Sequence, residues 1–113
     1  MTSIVSKPWG NYQIIEKGKT YVVKRIVVNP GGMLSLQSHD HRSEHWIIVK
    51  GQAEVLVDEE NFTLKINDNI FVPPKSKHRL TNKQNEDLIV IEVWLGDILD
   101  EEDIIRYEDI YNR

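Results

Sequence analysis

The sequence predicts an all-β fold, a small closed barrel or jelly roll, on two observations. Ile and Val number 25 in a chain of 113 residues, against eight Leu and a single Ala. That ratio favours strands, because branched side chains pack on a pleated surface while Ala and Leu favour helices. Eight short apolar segments are also divided by turn-forming residues at close intervals, which is the punctuation of a small barrel.

The segments follow in order. Residues 21–28 carry a run of Val and Ile and stop at Asn29-Pro30-Gly31-Gly32. Residues 33–38 interleave Leu34 and Leu36 with Ser35 and Gln37, and residues 44–49 end at Lys50-Gly51. Residues 53–57 and 62–66 flank the turn at Asp58 to Asn61, and the second of them stops at Asn67-Asp68-Asn69. Residues 70–72 meet Pro73-Pro74, residues 78–81 meet the polar stretch 82–87, and residues 88–95 close at Gly96. Gly, Pro, Asn and Asp supply the φ values and local hydrogen bonds that such turns need. Beyond them, Asp100-Glu101-Glu102-Asp103 opens a predicted short C-terminal helix, since acids in a first turn suit the helix dipole.

A length of 113 residues predicts one domain over 1–113, with an N-terminal arm at 1–19, a barrel at about 20–96 and an acidic tail at 97–113. The net charge is −4, which argues against nucleic acid as the main partner because phosphate backbones need a basic face. Residues 1–96 carry 12 basic and 11 acidic side chains, whereas residues 97–113 carry 2 and 7. The acidity therefore belongs to the tail, and Lys24, Arg25, Arg42, Lys75, Lys77 and Arg79 can attract an anionic substrate to a nearly neutral body. No Cys is present, so disulfides and thiolate chemistry are excluded and any metal needs His, carboxylate or amide ligands. The N-terminal segment has no long apolar run and meets Pro8 and Trp9 early, which predicts a cytoplasmic protein without a signal peptide or membrane span.

Chemistry concentrates in residues 31–46 and 67–82. Three of the four His fall within seven residues, at His39, His41 and His45. On a strand, Gln37 and His39 share a face. A reversal over 40–43 brings Glu44 beside His39, and His78 entering from a distant strand completes a four-ligand set of Gln37, His39, Glu44 and His78. His45, next to Glu44, points to the opposite face.

Two spaced motifs resemble those of the cupin superfamily. Gly31, Gln37, His39, Glu44 and Gly51 fall in the register of its first motif, with Gln37 where a His is usual. Asn67, Pro73, His78 and Asn82 fall in that of the second, with Lys75 where a Gly is expected. Within cupins the chain resembles the type II mannose-6-phosphate isomerase domain, usually the C-terminal half of a bifunctional enzyme with mannose-1-phosphate guanylyltransferase. Lys7 to Tyr12, Val23 to Ile26, Leu34 to Gln37, His41 to Trp46, Lys77 to Leu80, Asp103 to Arg106 and the closing Tyr111-Asn112-Arg113 carry the match. Asp40 and Pro74-Lys75-Ser76 depart from it near the pocket mouth.

This resemblance implies a cupin-type double-stranded β-helix and a divalent metal on Gln37, His39, Glu44 and His78. Two imidazoles and two oxygens suit zinc first, with nickel, manganese or iron compatible. The implied reaction interconverts mannose 6-phosphate and fructose 6-phosphate, by the isomerase half alone. Arg42 is the expected cation facing the enediolate or the phosphate, because a guanidinium pairs with such oxygens in bidentate fashion. Lys24 is a second catalytic candidate. Alternation allows only one of Lys24 and Arg25 into the lumen. The general base is open between His41 and Lys24, and Asn82 is expected to brace the loop after His78. Another metal-dependent cupin reaction, an oxygenase or a sugar epimerase, and a non-catalytic sugar-phosphate binding module are the alternatives. If Glu44, Trp46 and Ile48 face the lumen, Ile47 and Val49 face outward, which predicts a homodimer.

Overall fold

The computed structural model describes residues 3–111, so Asn112 and Arg113 of the closing segment lie outside it. Among the described residues the fold is all β, with strands β1 (Val5–Lys7), β2 (Gly10–Lys17), β3 (Tyr21–Val28), β4 (Leu36–Ser38), β5 (Arg42–Lys50), β6 (Ala53–Val57), β7 (Glu60–Leu64), β8 (Asn69–Val72), β9 (His78–Thr81), β10 (Leu88–Gly96) and β11 (Ile105–Glu108). They pair into two antiparallel sheets, in the orders β1-β2-β3-β10-β5-β8 and β11-β4-β9-β6-β7. The sheets face each other as a jelly roll. No helix of the described residues is long and apolar enough to cross a membrane.

Strands β3, β6 and β9 coincide with the predicted segments 21–28, 53–57 and 78–81. The predicted segment 33–38 shortens to β4, with Met33 forming only an isolated bridge to Thr81. Residues of the N-terminal arm form β1 and β2, and β2 pairs with β3 along most of its length.

The predicted C-terminal helix is absent, and the tail instead adds β11 to the edge of β4. The acids that suggested a helix start have other partners. Both oxygens of Asp103 accept backbone N–H groups, from Asp40 and His41, at 3.0 Å each. Ile104 and Ile105 then follow, and branched residues beside an open strand edge pair with it more readily than they close an isolated helix of two turns.

The inner face of the larger sheet sorts into rows. Leu88 pairs with Val28, and Val90 with Ile26 and Ile48, all of them buried. One step along, Glu92 pairs with Lys24 and Trp46, and Trp94 pairs with Val22 and Glu44. One end of the barrel is thus an apolar plug while the other is a buried set of charges framed by Trp. On the outer face Ile47, Val49, Phe71 and Leu95 are exposed.

Turn geometry explains which residues stand at the turns of the two motifs. Gly31 and Gly51 have φ of 79° and 84°, and Asn67 and Lys75 have φ of 79° and 70°. All four motif positions therefore lie in the left-handed region. Asn tolerates it through its short polar side chain, whereas Lys has no such compensation. Lys75 keeps the conformation because its N–H donates to the carbonyl of His39 at 2.7 Å, which ties the loop before His78 to the end of β4.

Candidate metal centre

His39, Glu44 and His78 converge at the polar end, each buried, with ligand atoms all within 4.8 Å of one another. Nε2 of His39 lies 3.1 Å from Oε2 of Glu44, and Nε2 of His78 lies 3.8 Å from its Oε1. The two imidazole rings stand 5.0 Å apart. Their other nitrogens are committed to the backbone. Nδ1 of His39 is 2.7 Å from the Asp103 carbonyl, and Nδ1 of His78 is 3.0 Å from that of Ser76. A carbonyl only accepts, so each Nδ1 carries the hydrogen and each Nε2 lone pair faces the cluster. That is the tautomer a metal ligand needs, with its outer partner in place.

Gln37 stands opposite His78 in the β4–β9 register and lines the same cavity. Its amide nitrogen donates to Oγ of Ser35 at 3.0 Å, which leaves the side-chain oxygen as a donor atom. Two imidazoles, one carboxylate and one amide oxygen form a chemically coherent set for a divalent borderline ion.

Arg42 is buried and shares the same atoms. Its Nε donates to Oε2 of Glu44 at 2.9 Å, one terminal nitrogen lies 3.2 Å from Nε2 of His39, and the other donates to the Asp100 carbonyl at 3.2 Å. The guanidinium carbon lies 3.4 Å from the centroid of the Trp94 ring. Lys24 also faces the lumen and is buried, with Nζ 4.0 Å from the Trp94 ring and 4.1 Å from that of Tyr12. Its neighbour Arg25 points outward to Gln13.

Burial pushes the pKa of His39 down to about 4, against the charge of Glu44 and with that of Arg42. The imidazole is therefore neutral and ready to coordinate at physiological pH. Burial alone would raise Glu44, but His78, His39 and Arg42 together outweigh it and hold the carboxyl at about 2. With His39 neutral, Arg42 is the lasting counter-charge. Glu92 is moved the other way, well above the usual carboxylate range, by burial and then by the charge of Glu44.

Other expectations separate cleanly. His41 is exposed and does not line the cavity, so of the two base candidates only Lys24 faces the pocket. His45 is exposed and meets Asn69 on β8 at 3.0 Å. Asn82 is buried and braces its loop, donating to the carbonyls of Val28 and Glu86 and accepting from Gln84 N–H.

Five residues, Trp46, Trp94, Asp103, Glu101 and Glu92, have site roles that were not legible in the sequence. Trp46 donates its indole N–H to Glu44 at 3.1 Å and sets its ring edge against His78. Trp94 donates to Glu92, Asp103 carries His39 on its carbonyl, and Glu101 accepts from Lys24. Glu92 itself carried a signal. It is the one acid in the apolar run 88–95, and it shares a strand face with Leu88, Val90 and Trp94.

Residues 1–109 match the sequence family described as Mannose-6-phosphate isomerase C-terminal. The chain is 50% identical over 109 residues to the Alginate biosynthesis protein AlgA of Pseudomonas syringae pv. tomato, covering 96% of this chain and 23% of that one. It is 49% identical to the Xanthan biosynthesis protein XanB of Xanthomonas campestris pv. campestris, with the same coverage. The Mannose-1-phosphate guanylyltransferase of Escherichia coli K12 is 44% identical, again over 96% of this chain and 23% of its own length. The chain thus spans about a quarter of these relatives. Among solved structures, an oxalate decarboxylase of Lactobacillus farciminis superposes with a TM-score of 0.82 at 24% identity, over 94% of this chain and 33% of that one. A cupin described as RmlC-like, from Shewanella frigidimarina, superposes with a TM-score of 0.77 at 22% identity, over 89% and 87%. At such identities the likeness establishes the cupin fold.

Proposed function

The chain belongs to the mannose-6-phosphate isomerase C-terminal family, and from that premise we propose that it interconverts mannose 6-phosphate and fructose 6-phosphate with the help of a divalent metal, zinc first among the candidates. The observation that carries this reading is the convergence of His39, Glu44 and His78 in one buried, pre-set tautomeric arrangement beside Arg42. His39, Glu44, His78 and the side-chain oxygen of Gln37 would hold the ion. When bound, it polarises the sugar carbonyl as a Lewis acid.

The chain's own residues do the rest. Isomerisation moves a proton between adjacent carbons while negative charge develops on their two oxygens. Arg42 keeps a fixed guanidinium at the ligand atoms, where that charge appears, and its position is set by Glu44, Trp94 and the Asp100 carbonyl before substrate arrives. Trp46 and Trp94 keep water from the rear of the pocket and hold the carboxylates in place. Lys24 adds the second lumenal cation.

A coupled assay for fructose 6-phosphate, run on metal-replete chain with and without oxygen, tests the reading. Turnover that needs metal and ignores oxygen supports an isomerase. Oxygen-dependent turnover points to an oxygenase, and saturable binding without conversion to a binding module.

The outer face supports a homodimer. The outward residues of β5, β8 and β10 are Ser43, His45, Ile47, Val49, Asn69, Phe71, Ile89, Ile91, Val93 and Leu95, together with Lys50, which a register shift sets opposite Ile89 at the end of β5 and which is the one charged residue of the row. A face that meets its own copy across a two-fold axis brings like groups together, so a face whose one charge, Lys50, stands at its end suits a second copy of this chain.

A further inference from the structure

We propose that Lys24, flanked by Lys7 and Arg106, is the seat for the phosphate of the substrate, and that Glu101 is a tethered carboxylate which holds this seat until phosphate displaces it. The inference deepens the isomerase reading and rests on it for the identity of the ligand. Nζ of Lys24 lies 2.6 Å from each oxygen of Glu101, with the lysine side chain 5% exposed and the glutamate 46% exposed. The buried ammonium therefore forms its ion pair with Glu101, which reaches it from a surface turn at the mouth, while Glu92 lies beside it in the sheet and feels its charge. Among the described residues Glu101 forms no other ion pair.

The same cavity holds more positive charge than Glu101 can balance. Lys7 from β1 and Arg106 from β11 both line it, and neither forms a salt bridge among the described residues. Nζ of Lys7 lies 5.9 Å from the Tyr12 ring, whose centroid is 4.1 Å from Nζ of Lys24. Two ammonium groups thus gather at one aromatic ring. A phosphomonoester carries nearly two negative charges and three acceptor oxygens, so it can meet three cations where Glu101 meets one. Lys24 already donates to a carboxylate, which marks it as a holder of anions and not as the neutral amine that a general base requires.

Seat and metal cluster are set apart as the two ends of a sugar phosphate require. Lys24 on β3 and Trp46 on β5 flank Glu92 on β10, so the backbones of β3 and of the strand that carries Glu44 stand two spacings, roughly 10 Å, apart, while Nζ of Lys24 and the guanidinium carbon of Arg42 converge on the Trp94 ring, 4.0 and 3.4 Å from its centroid. Phosphate at Lys24 leaves the carbonyl end free to reach Arg42 and the metal ligands.

Titration calorimetry on the full metal-loaded chain tests the seat with three probes: inorganic phosphate, mannose 6-phosphate and mannose. Removing the competing carboxylate in Glu101→Gln should tighten both phosphate probes by roughly three-fold or more, the size of an exposed ion pair, and leave mannose unchanged. Adding Lys24→Gln to that variant should abolish the gain. Glu101 is exposed, so its variant alone decides the matter should the Lys24 variant fail to fold. Phosphate binding equal to or weaker than that of the parent chain overturns the seat. The coupled assay separates the two readings. Tightened phosphate binding without turnover keeps the seat and sinks the isomerase, whereas turnover without tightening keeps the isomerase and sinks the seat.

Discussion

Nε of Arg42 lies 2.9 Å from Oε2 of Glu44, and the same guanidinium reaches Nε2 of His39 at 3.2 Å, so one cation sits on two of the atoms that would ligate a metal. Arg42 is not a solvated loop charge. Its planar fork joins Glu44 to His39 and the Asp100 carbonyl, and a lysine cannot span those partners. Arg42→Lys should therefore keep bound metal but lower turnover at least ten-fold, about 1.4 kcal/mol of transition-state stabilisation. Metal analysis beside steady-state kinetics checks this, and parent-like turnover would remove Arg42 from the mechanism.

Two buried groups give the metal-free chain opposite pH responses. His39 has a folded pKa of about 4, below its unfolded value near 6.5. Between these values the unfolded chain binds more protons, so stability rises with pH through this window, by roughly 3 kcal/mol in all. Glu92 is raised above its unfolded value, so its contribution is complete below about pH 4.5 and is lost as pH climbs through the folded pKa. Thermal melts of His39→Gln should show a shallower acid decline than the parent. Melts of Glu92→Gln should gain on the parent as pH rises, and parallel curves would contradict the assignment.

Lys75 stores backbone strain at φ 70°. Lys75→Gly should stabilise the chain by about 1 kcal/mol and raise Tm by about 4 °C. Lys75→Ala keeps a Cβ in the same left-handed conformation and should gain little. Differential scanning calorimetry of the pair isolates the backbone effect from the loss of charge.

The proposed dimer predicts that Phe71→Glu and Ile47→Glu yield monomers. Like charges would then face each other across the two-fold axis, in the apolar middle of the face. Sedimentation velocity at micromolar concentration reads the change, and a monomeric parent chain would remove the proposal.

Much of this molecule is legible in its sequence, because strand alternation writes burial directly. Lys24 faces inward and Arg25 outward on β3, and Glu44 and His45 divide in the same way on β5. The His39, Glu44 and His78 cluster follows from motif spacing for the same reason. Tertiary partners decide what sequence did not show. The tail looked helical because four acids stand together, yet Asp103 caps the loop before β5 and its carbonyl orients His39. Glu101 meets Lys24 from 77 residues away, a separation that no local pattern spans. Trp46 and Trp94 are buried, and each indole also donates to a buried carboxylate, a partner that strand alternation alone does not name.

The most direct test of the central claim is to count metal and turnover together on chelated and reloaded chain. Chelation should abolish fructose 6-phosphate formation, and reloading should restore it in proportion to metal up to one ion per chain. His39→Ala should neither bind the ion nor turn over. Full turnover from metal-free chain, or a His39→Ala variant that keeps both metal and activity, would contradict it.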